Sequence, residues 1–449
     1  MSPLKLKSNP YWLKSGFYSI LQTLSVLLFG FASFYLLVRV ISVSDFGTWT
    51  LFLTIISVLE VVRNGLIRNG LIKFLNSNRI EEHGGIISAS IVLNSAVTLI
   101  ILSGMALAVK PLALLWEAPM LVEMFYIYFI TAILLIPFSL FEVLQHANLT
   151  FKGAFYGHVT KNGIFFIIIL YYYLNDAQFD LVDLVWFQLT GTLVSVIVFY
   201  FFSKQYLIIG FRRVGYWTMK QFHFGKYVIG TNLSSMIYKS IDQIMLGSLM
   251  STAAVAFYNT AIRITNLVEV PTTAVSAIVF PQSAKRFSTD GLSAAKYLYE
   301  RSVGVILALM LPAVVIIFFL PGTIISLIAS DKYLSAVPIL QITIFYTLFL
   351  PFARQFGTIL DSVGLPNINF YITAGNALMN VILNYVFIRS FGMIGAAYGT
   401  LLTYFLGFIL MQVVIRQKLK VELSKAMVHI FVFYKEIWVS FSQIVTRKQ

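Results

Sequence analysis

Charged side chains fall inside stretches that are otherwise long and apolar, among them Arg63, Arg68, Lys239, Arg263 and Arg354, with Glu60, Asp242 and Glu269. A charge at membrane depth costs on the order of 3 kcal/mol on insertion scales, so such a residue faces a bundle interior or a water-filled path and marks a function. Five cations against three acids make a cationic cavity, which points to transport of an anion. The chemistry on offer is phosphate capture, with arginine forks matching two phosphate oxygens and lysine supplying a point charge. Glu60, Asp242 and Glu269 are candidates for proton or sodium coupling, because a carboxyl in low dielectric can titrate near neutrality. Balancing the adjacent cations is the other reading of the same three acids.

These residues need a membrane-spanning scaffold to position them. Hydrophobic residues make up 59% of the 449 and charged ones 11%, far from the ordinary soluble mix of roughly half apolar and a quarter charged. About 20 apolar residues cross a bilayer as a helix. On that measure twelve spans are expected, near 16–41, 46–75, 84–109, 119–144, 157–175, 184–203, 225–250, 254–280, 300–320, 335–360, 368–390 and 393–416. The expected fold class is all-α integral membrane, with two six-helix lobes around a central cavity. Residues 1–210 form the N-lobe, 211–416 the C-lobe and 417–449 a basic cytoplasmic tail. Connections this short leave no room for a soluble catalytic domain. The basic start, with Lys5, Lys7 and Lys14, leads into an apolar run too long for a signal-peptide core and is expected to be a retained first helix.

The net charge of +14 encodes topology rather than nucleic-acid binding. With a cytoplasmic amino terminus, inner segments hold 23 of the 32 Lys and Arg, and outer segments hold four: Arg39, Lys110, Lys332 and Arg389. The positive-inside rule then places both termini in the cytoplasm, and the inner charges suit anionic lipid. Cysteine is absent, which rules out disulfides and thiolate chemistry. No GxxxxGK phosphate loop or GxSxG elbow occurs. The five histidines, His83, His146, His158, His223 and His429, lack metal spacing such as HExxH and are expected at helix ends, interfacial or solvated. Neither an enzyme, nor a metal, nor a cofactor is expected, and energy must come from H+ or Na+ gradients, the membrane potential or a partner.

Sliding the chain by 209 residues superposes Gly16 on Gly225, Ser42 on Ser251, Trp49 on Tyr258 and Glu60 on Glu269. The matched pattern is a span, a tight outer turn and a second span with a mid-membrane glutamate, which reads as two parallel repeats. Lys204 to Lys226 is the expected interlobe linker. Pro137, Pro271, Pro312 and Pro351 fall inside expected spans, where each removes a backbone donor and tends to kink its helix. Gly395 and Gly399 give the last span a small face for close helix packing. In the tail, Ile430, Tyr434, Ile437, Trp438, Phe441, Ile444 and Val445 recur at helical spacing opposite Lys435, Glu436 and Gln443, as in an interfacial amphipathic helix.

Depth sorts the embedded cations. Glu60 lies near the midplane of the second span, with Arg63 and Arg68 about 4.5 and 12 Å further toward the cytoplasm at about 1.5 Å per residue. Lys239 lies mid-membrane, Arg354 in the inner third and Arg263 in the outer half of its span. A diphosphate would dock on Arg63, Lys239 and Arg263, with Arg354 guarding the inner mouth. Sugar hydroxyls would meet Asn64, Asn232, Ser235, Asn376, Asn380 and Asn384; the last three repeat at i,i+4 and share one helix face. The competing reading is structural: Glu60 paired with Arg63, Lys239 with Asp242, Arg68 or Arg354 snorkelling to the interface, and the asparagines bonding helix to helix.

Ile241-Asp242-Gln243-Ile244-Met245-Leu246-Gly247, followed by Ala254 to Ile264 with Arg263 inside it, resembles the polysaccharide flippase family, O-antigen type, of the multidrug/oligosaccharidyl-lipid/polysaccharide exporter superfamily. Val279-Phe280-Pro281 through Arg286, Ser44-Asp45-Phe46-Gly47 and Gly65-Leu66-Ile67-Arg68 are similar to further segments of it. The resemblance covers about Gly16 to Arg416, and Asp242 and Arg263 are the positions that map onto its pattern. It implies two six-helix lobes around a V-shaped cavity in a bacterial inner membrane. It also implies export of an undecaprenyl-diphosphate-linked oligosaccharide from inner to outer leaflet, with membrane lipids and polysaccharide-assembly proteins as partners. The sibling peptidoglycan-precursor flippases carry arginines in the first span and two extra helices, and neither feature is visible here. Two other functions are weighed: a multidrug antiporter of the same superfamily, which needs an acidic aromatic cavity, and a membrane polymerase or ligase, which needs acid-base groups in a substantial outer loop.

Overall fold

The computed structural model describes residues 10–446, apart from the side chains of 10–16, 227, 228, 230, 231, 234, 235, 237, 277, 278, 280, 281, 284, 285, 287–290 and 440–446. Those described residues are helical nearly throughout. The helices are α1 (Pro10–Val40), α2 (Val43–Ser77), α3 (Ile80–Leu115), α4 (Met120–Ala147), α5 (Lys152–Leu174), α6 (Leu181–Ser203), α7 (Val214–Leu249), α8 (Thr252–Val268), α9 (Val270–Asp290), α10 (Leu292–Phe319), α11 (Pro321–Ile328), α12 (Val337–Tyr346), α13 (Leu350–Ser362), α14 (Pro366–Phe391), α15 (Met393–Leu419) and α16 (Leu423–Thr446). Ten segments among the described residues are long and apolar enough to cross a membrane; the other two expected spans, 225–250 and 254–280, correspond to α7 and to α8 with α9.

The chain divides into two compact units, Met1–Met236 and Ile237–Gln449. That division falls within α7, further along than residue 210, because the start of α7 packs with the helices before it. Trp217 Nε1 donates to Glu82 at 3.1 Å, and Gln221 joins Ile86 O and Ser90 on α3 at 2.9 and 2.7 Å. From Val214 onward the expected linker is therefore helix.

Local chemistry explains several boundaries. Ser42 caps α2 by accepting from Asp45 N at 3.1 Å, and Ser251 caps α8 by accepting from Ala254 N at 3.2 Å. Each satisfies an N-terminal donor that the helix leaves open. These serines are the pair that the 209-residue shift superposes, and the matched Trp49 and Tyr258 are both buried. Past that point the match is imperfect. Glu60 sits within continuous α2, whereas Glu269 is the residue at which α8 ends and α9 begins, two positions before Pro271. Proline has no N–H to continue the ladder, so the expected single span 254–280 is broken there. The expected span 335–360 is likewise broken, into α12 and α13, with Pro351 in the first turn of α13. Pro137 and Pro312 remain inside α4 and α10.

In the first unit α5 packs against α1 and α6, and α4 against α2, α3 and α6. A Cβ on Gly157 would run into the Phe199 ring, so a bare Cα is what lets α5 and α6 approach and fixes His158 beside α4. In the second unit α14 packs on α15, where side chains on Gly395 and Gly399 would strike the backbone of Phe387 and Asn384. The small face expected in the last span is a close helix contact. The tail helix α16 lies on α10: Ile430 is buried, Tyr434 OH donates to Ala308 O at 2.6 Å, and Lys296 meets Glu422 at 2.6 Å. Ile437 and Trp438 are exposed, and Phe441, Gln443, Ile444 and Val445 lie outside the described side chains.

Candidate functional site

Each unit holds its own polar centre. In the first, Glu60 and Arg63 occupy one face of α2 at i,i+3 spacing and form an ion pair. Tyr128 OH on α4 donates to the other Glu60 oxygen at 3.1 Å, Asn64 Nδ2 approaches at 3.5 Å, and Arg63 Nη1 donates to Ala132 O at 3.4 Å. Arg63 is only 2% exposed, and its Nε is a buried donor without a partner. A buried guanidinium demands both charge compensation and donors satisfied. Glu60 supplies the first, and the Nε–H is left without an acceptor.

Sequence reasoning missed a second charged cluster on the same helices. Arg68 Nη2 lies 3.1 Å from His146 Nδ1, His158 Nε2 lies 3.2 Å from Glu142 Oε1, and Lys161 Nζ stands 4.9 Å over the Phe138 ring. The expectation of solvated histidines is corrected for these two: both are half-buried, His146 bonded to Arg68 and lying beside Phe151, His158 paired with Glu142 and set against Phe138. Lys161, counted with an inner segment, belongs to the interior of α5 because that helix starts at Lys152. The signal available was spacing, since Glu142 and His146 stand at i,i+4 and His158 and Lys161 at i,i+3.

The second unit centres on Asp242, which is 6% exposed. Its carboxylate accepts from Tyr258 OH and from Thr400 Oγ1, the latter at 3.0 Å. The expected Lys239–Asp242 pairing gives way to this hydroxyl shell, because Asp242 turns into the α8/α15 side while Lys239 is exposed. Lys239 and Arg354 instead act electrostatically on Glu269. Asn380 and Asn384 have no exposed surface. Asn380 Nδ2 reaches Thr400 and Thr403 at 3.3 and 3.4 Å, and Asn384 Nδ2 reaches Thr400 Oγ1 at 3.4 Å. Their geometry is that of helix-to-helix bonding around Asp242, which is a different employment from contacting a sugar. Three oxygens there, Asp242 Oδ1, Asn380 Oδ1 and Asn384 Oδ1, are buried without a hydrogen-bond donor. Asn376 is buried beside Gly407, Asn232 is exposed beside Gly65, and Ser235 lies outside the described side chains. Arg263 Nε donates to Asn259 Oδ1 at 2.9 Å, and Arg354 is exposed. Tyr346 stacks on Tyr404 at 4.8 Å, with Tyr238 edge-on at 5.6 Å.

The profile of the family described as polysaccharide biosynthesis protein matches residues 36–338. The chain belongs to that family. Among relatives, an uncharacterised membrane protein of Methanocaldococcus jannaschii, MJ1068, is 30% identical over 53% of this chain and 46% of its own length. The probable flippase AglR of Haloferax volcanii is 32% identical over 40% of this chain and 38% of its own. The match thus spans less than half the length of these curated relatives. Among solved structures, the lipid II flippase MurJ in an inward closed conformation superposes with a TM-score of 0.74 over 95% of this chain and 92% of its own, at 15% identity. An inward-facing multidrug resistance MATE family transporter of the MOP superfamily gives 0.73 over 88% and 95%, at 16% identity. This family member therefore has the all-α, multi-pass membrane fold that those transporters share.

Proposed function

We propose that the protein moves a polyprenyl-diphosphate-linked oligosaccharide from the inner to the outer leaflet of the cytoplasmic membrane by alternating access. The observation that carries this reading is the presence of cations on the helices of each unit, Arg63 on α2 in the first and Lys239, Arg263 and Arg354 on α7, α8 and α13 in the second. Membership in a polysaccharide biosynthesis family and the name of the AglR relative agree with it. The cations hold the diphosphate, Asn64, Asn232, Ser235 and Asn376 supply hydrogen bonds to sugar, and the lipid tail stays in the bilayer. Asn380 and Asn384 serve the Asp242 centre. Both termini are cytoplasmic, following the positive-charge bias.

Coupling is assigned to Asp242. One carboxylate, amide oxygens and hydroxyls make a hard-oxygen set with a single formal charge, which suits a proton or a monovalent cation such as Na+. Glu60 is the counter-charge of Arg63, and Glu269 that of Lys239 and Arg354. A multidrug cation antiporter shares the fold, yet five embedded cations disfavour a cationic cargo.

Lys239→Ala, Arg263→Ala and Arg354→Ala should each lower glycolipid transport about 10- to 150-fold, since a lost charge-assisted contact forfeits roughly 1.5–3 kcal/mol. Insertion, read by surface expression, should be unchanged. Full transport in all three would remove the diphosphate assignment in the second unit.

A further inference from the structure

In the first unit, the last turn of α1, the first turns of α2 and α4 and the turn from α5 into α6 wall a cavity of about 420 Å³. That volume is in the range of small-ligand sites. With both termini cytoplasmic, α1 and α5 run outward, so the cavity lies at the outer face. Its walls are held by local chemistry. Asn175 N and Ala177 N donate to Tyr171 O and Tyr172 O at 3.2 and 3.0 Å, and Asp176 between them takes φ 49°, a left-handed conformation that aspartate tolerates better than most residues. Phe179 then folds back edge-on to Tyr172 at 5.5 Å and to Phe187 at 5.9 Å. Asp180 and Asp183 form the capping box that starts α6. On the α1–α2 side, Ser42 Oγ donates to Asp45 Oδ2 at 2.6 Å, and the Arg39 guanidinium lies 3.5 Å over the Tyr35 ring.

The lining selects among ligands. Asp45, Asp176 and Asp180 set three carboxylates against the single guanidinium of Arg39, so a diphosphate is repelled here. A metal ion needs oxygen ligands that converge on one point, and among the described residues no group of three Asp, Glu or His side chains could hold one. The groups present match an uncharged ligand rich in hydroxyls. A carboxylate accepts from several O–H groups, a guanidinium donates to oxygens, and an amide such as Gln178 does both. Tyr172, Tyr173 and Phe179 line the same cavity, and Tyr173 is 39% exposed. Their rings offer flat apolar faces, with a hydroxyl on each tyrosine, and these suit the C–H face and polar rim of a sugar. Asp176, Gln178 and Asp180 are exposed, so a ligand reaches them without opening the helix packing.

We infer that this cavity is a saccharide subsite, which takes a short neutral glycan against Tyr173 with its hydroxyls on Asp176, Gln178 and Asp180. That the glycan belongs to the exported lipid rests on the flippase reading; the cavity's own chemistry specifies the hydroxyl-rich, uncharged ring. Its surplus of carboxylates disfavours sugars that carry a uronate. No bond is made or broken. A head group held at the outer face is kept from returning to the inner leaflet, and the exposure of the contact residues keeps that hold reversible.

The test is saturation-transfer NMR on the purified full chain in lipid nanodiscs, with maltose, N,N′-diacetylchitobiose and the uronate-bearing hyaluronan disaccharide as probes and CaCl2 as competitor. A neutral disaccharide should bind more tightly than the uronate, and CaCl2 should not displace it. Tyr173→Ala and Asp176→Asn, the second chosen because asparagine also tolerates the left-handed turn, should each weaken binding about 10-fold. Thermal unfolding of both variants should match the wild type. Because the chain lacks cysteine, Gln178→Cys should react with an impermeant maleimide in right-side-out vesicles, and the bound sugar should slow the reaction. No binding of either neutral sugar, binding that survives both variants, preference for the uronate, displacement by CaCl2 or labelling from the inner side alone each overturns the subsite. Leaflet transfer of a labelled polyprenyl-diphosphate oligosaccharide by the wild-type chain tests the flippase reading separately. Sugar binding that the variants weaken, without such transfer, leaves the subsite standing and removes the flippase reading; transfer without sugar binding does the reverse.

Discussion

Arg63→Ala should cost the first unit about 3–5 kcal/mol of stability, the magnitude for removing one partner of a buried ion pair and leaving the other charge uncompensated. The geometry behind this is specific: Arg63 is 2% exposed and bound to Glu60, whose second oxygen takes a hydrogen bond from Tyr128. Glu60→Gln in the same chain should recover a large part of the loss, because the stranded carboxylate is then gone. Thermal unfolding of the four members of that double-mutant cycle measures the coupling directly. If Arg63 were an exposed ligand contact and nothing more, the single variant would unfold like the wild type and lose transport alone. Arg63→Lys should keep part of the stability, because a cation still stands opposite Glu60, and lose the fork.

Asp242→Asn should abolish the dependence of transport on the driving ion, with apparent ion affinity falling about 10- to 150-fold for roughly 1.5–3 kcal/mol of lost charge-assisted contact. Asparagine keeps nearly the same shape and can still accept from Tyr258 and Thr400, so the fold should survive and the effect isolates the charge. Glu269→Gln should act differently. Lys239 and Arg354 act on its carboxylate electrostatically, so neutralising it should alter glycolipid affinity and leave ion dependence in place. Measuring uptake against a stepped Na+ or H+ gradient separates the two. Unchanged ion dependence in Asp242→Asn would move the coupling elsewhere or remove it.

Local signals carried most of the architecture. Apolar length found the spans, and the serine pair found by the 209-residue shift turned out to cap α2 and α8. The Glu60–Arg63 pair was readable because three residues along a helix is a contact in itself. The breaks after Val268 and after Tyr346 were less visible, since apolar composition continues across them and only Pro271 and Pro351 marked the change. What the sequence could not reveal depends on packing between distant helices. Thr400 reaches Asp242 across 158 residues, and Arg68 reaches His146 across 78. Lys161 was misplaced for a simpler reason: it lies near the inner end of the expected span 157–175 and was counted with the inner charges, whereas α5 already begins at Lys152.

The most direct test is translocation itself. Proteoliposomes carrying the purified chain, a fluorescent polyprenyl-diphosphate oligosaccharide and an imposed Na+ or H+ gradient report, through a membrane-impermeant quencher, which leaflet holds the labelled lipid. Gradient-dependent transfer of that lipid between leaflets, well above protein-free liposomes, is the predicted result. Transfer no faster than in protein-free liposomes, with a cationic dye expelled from the same vesicles instead, would contradict it.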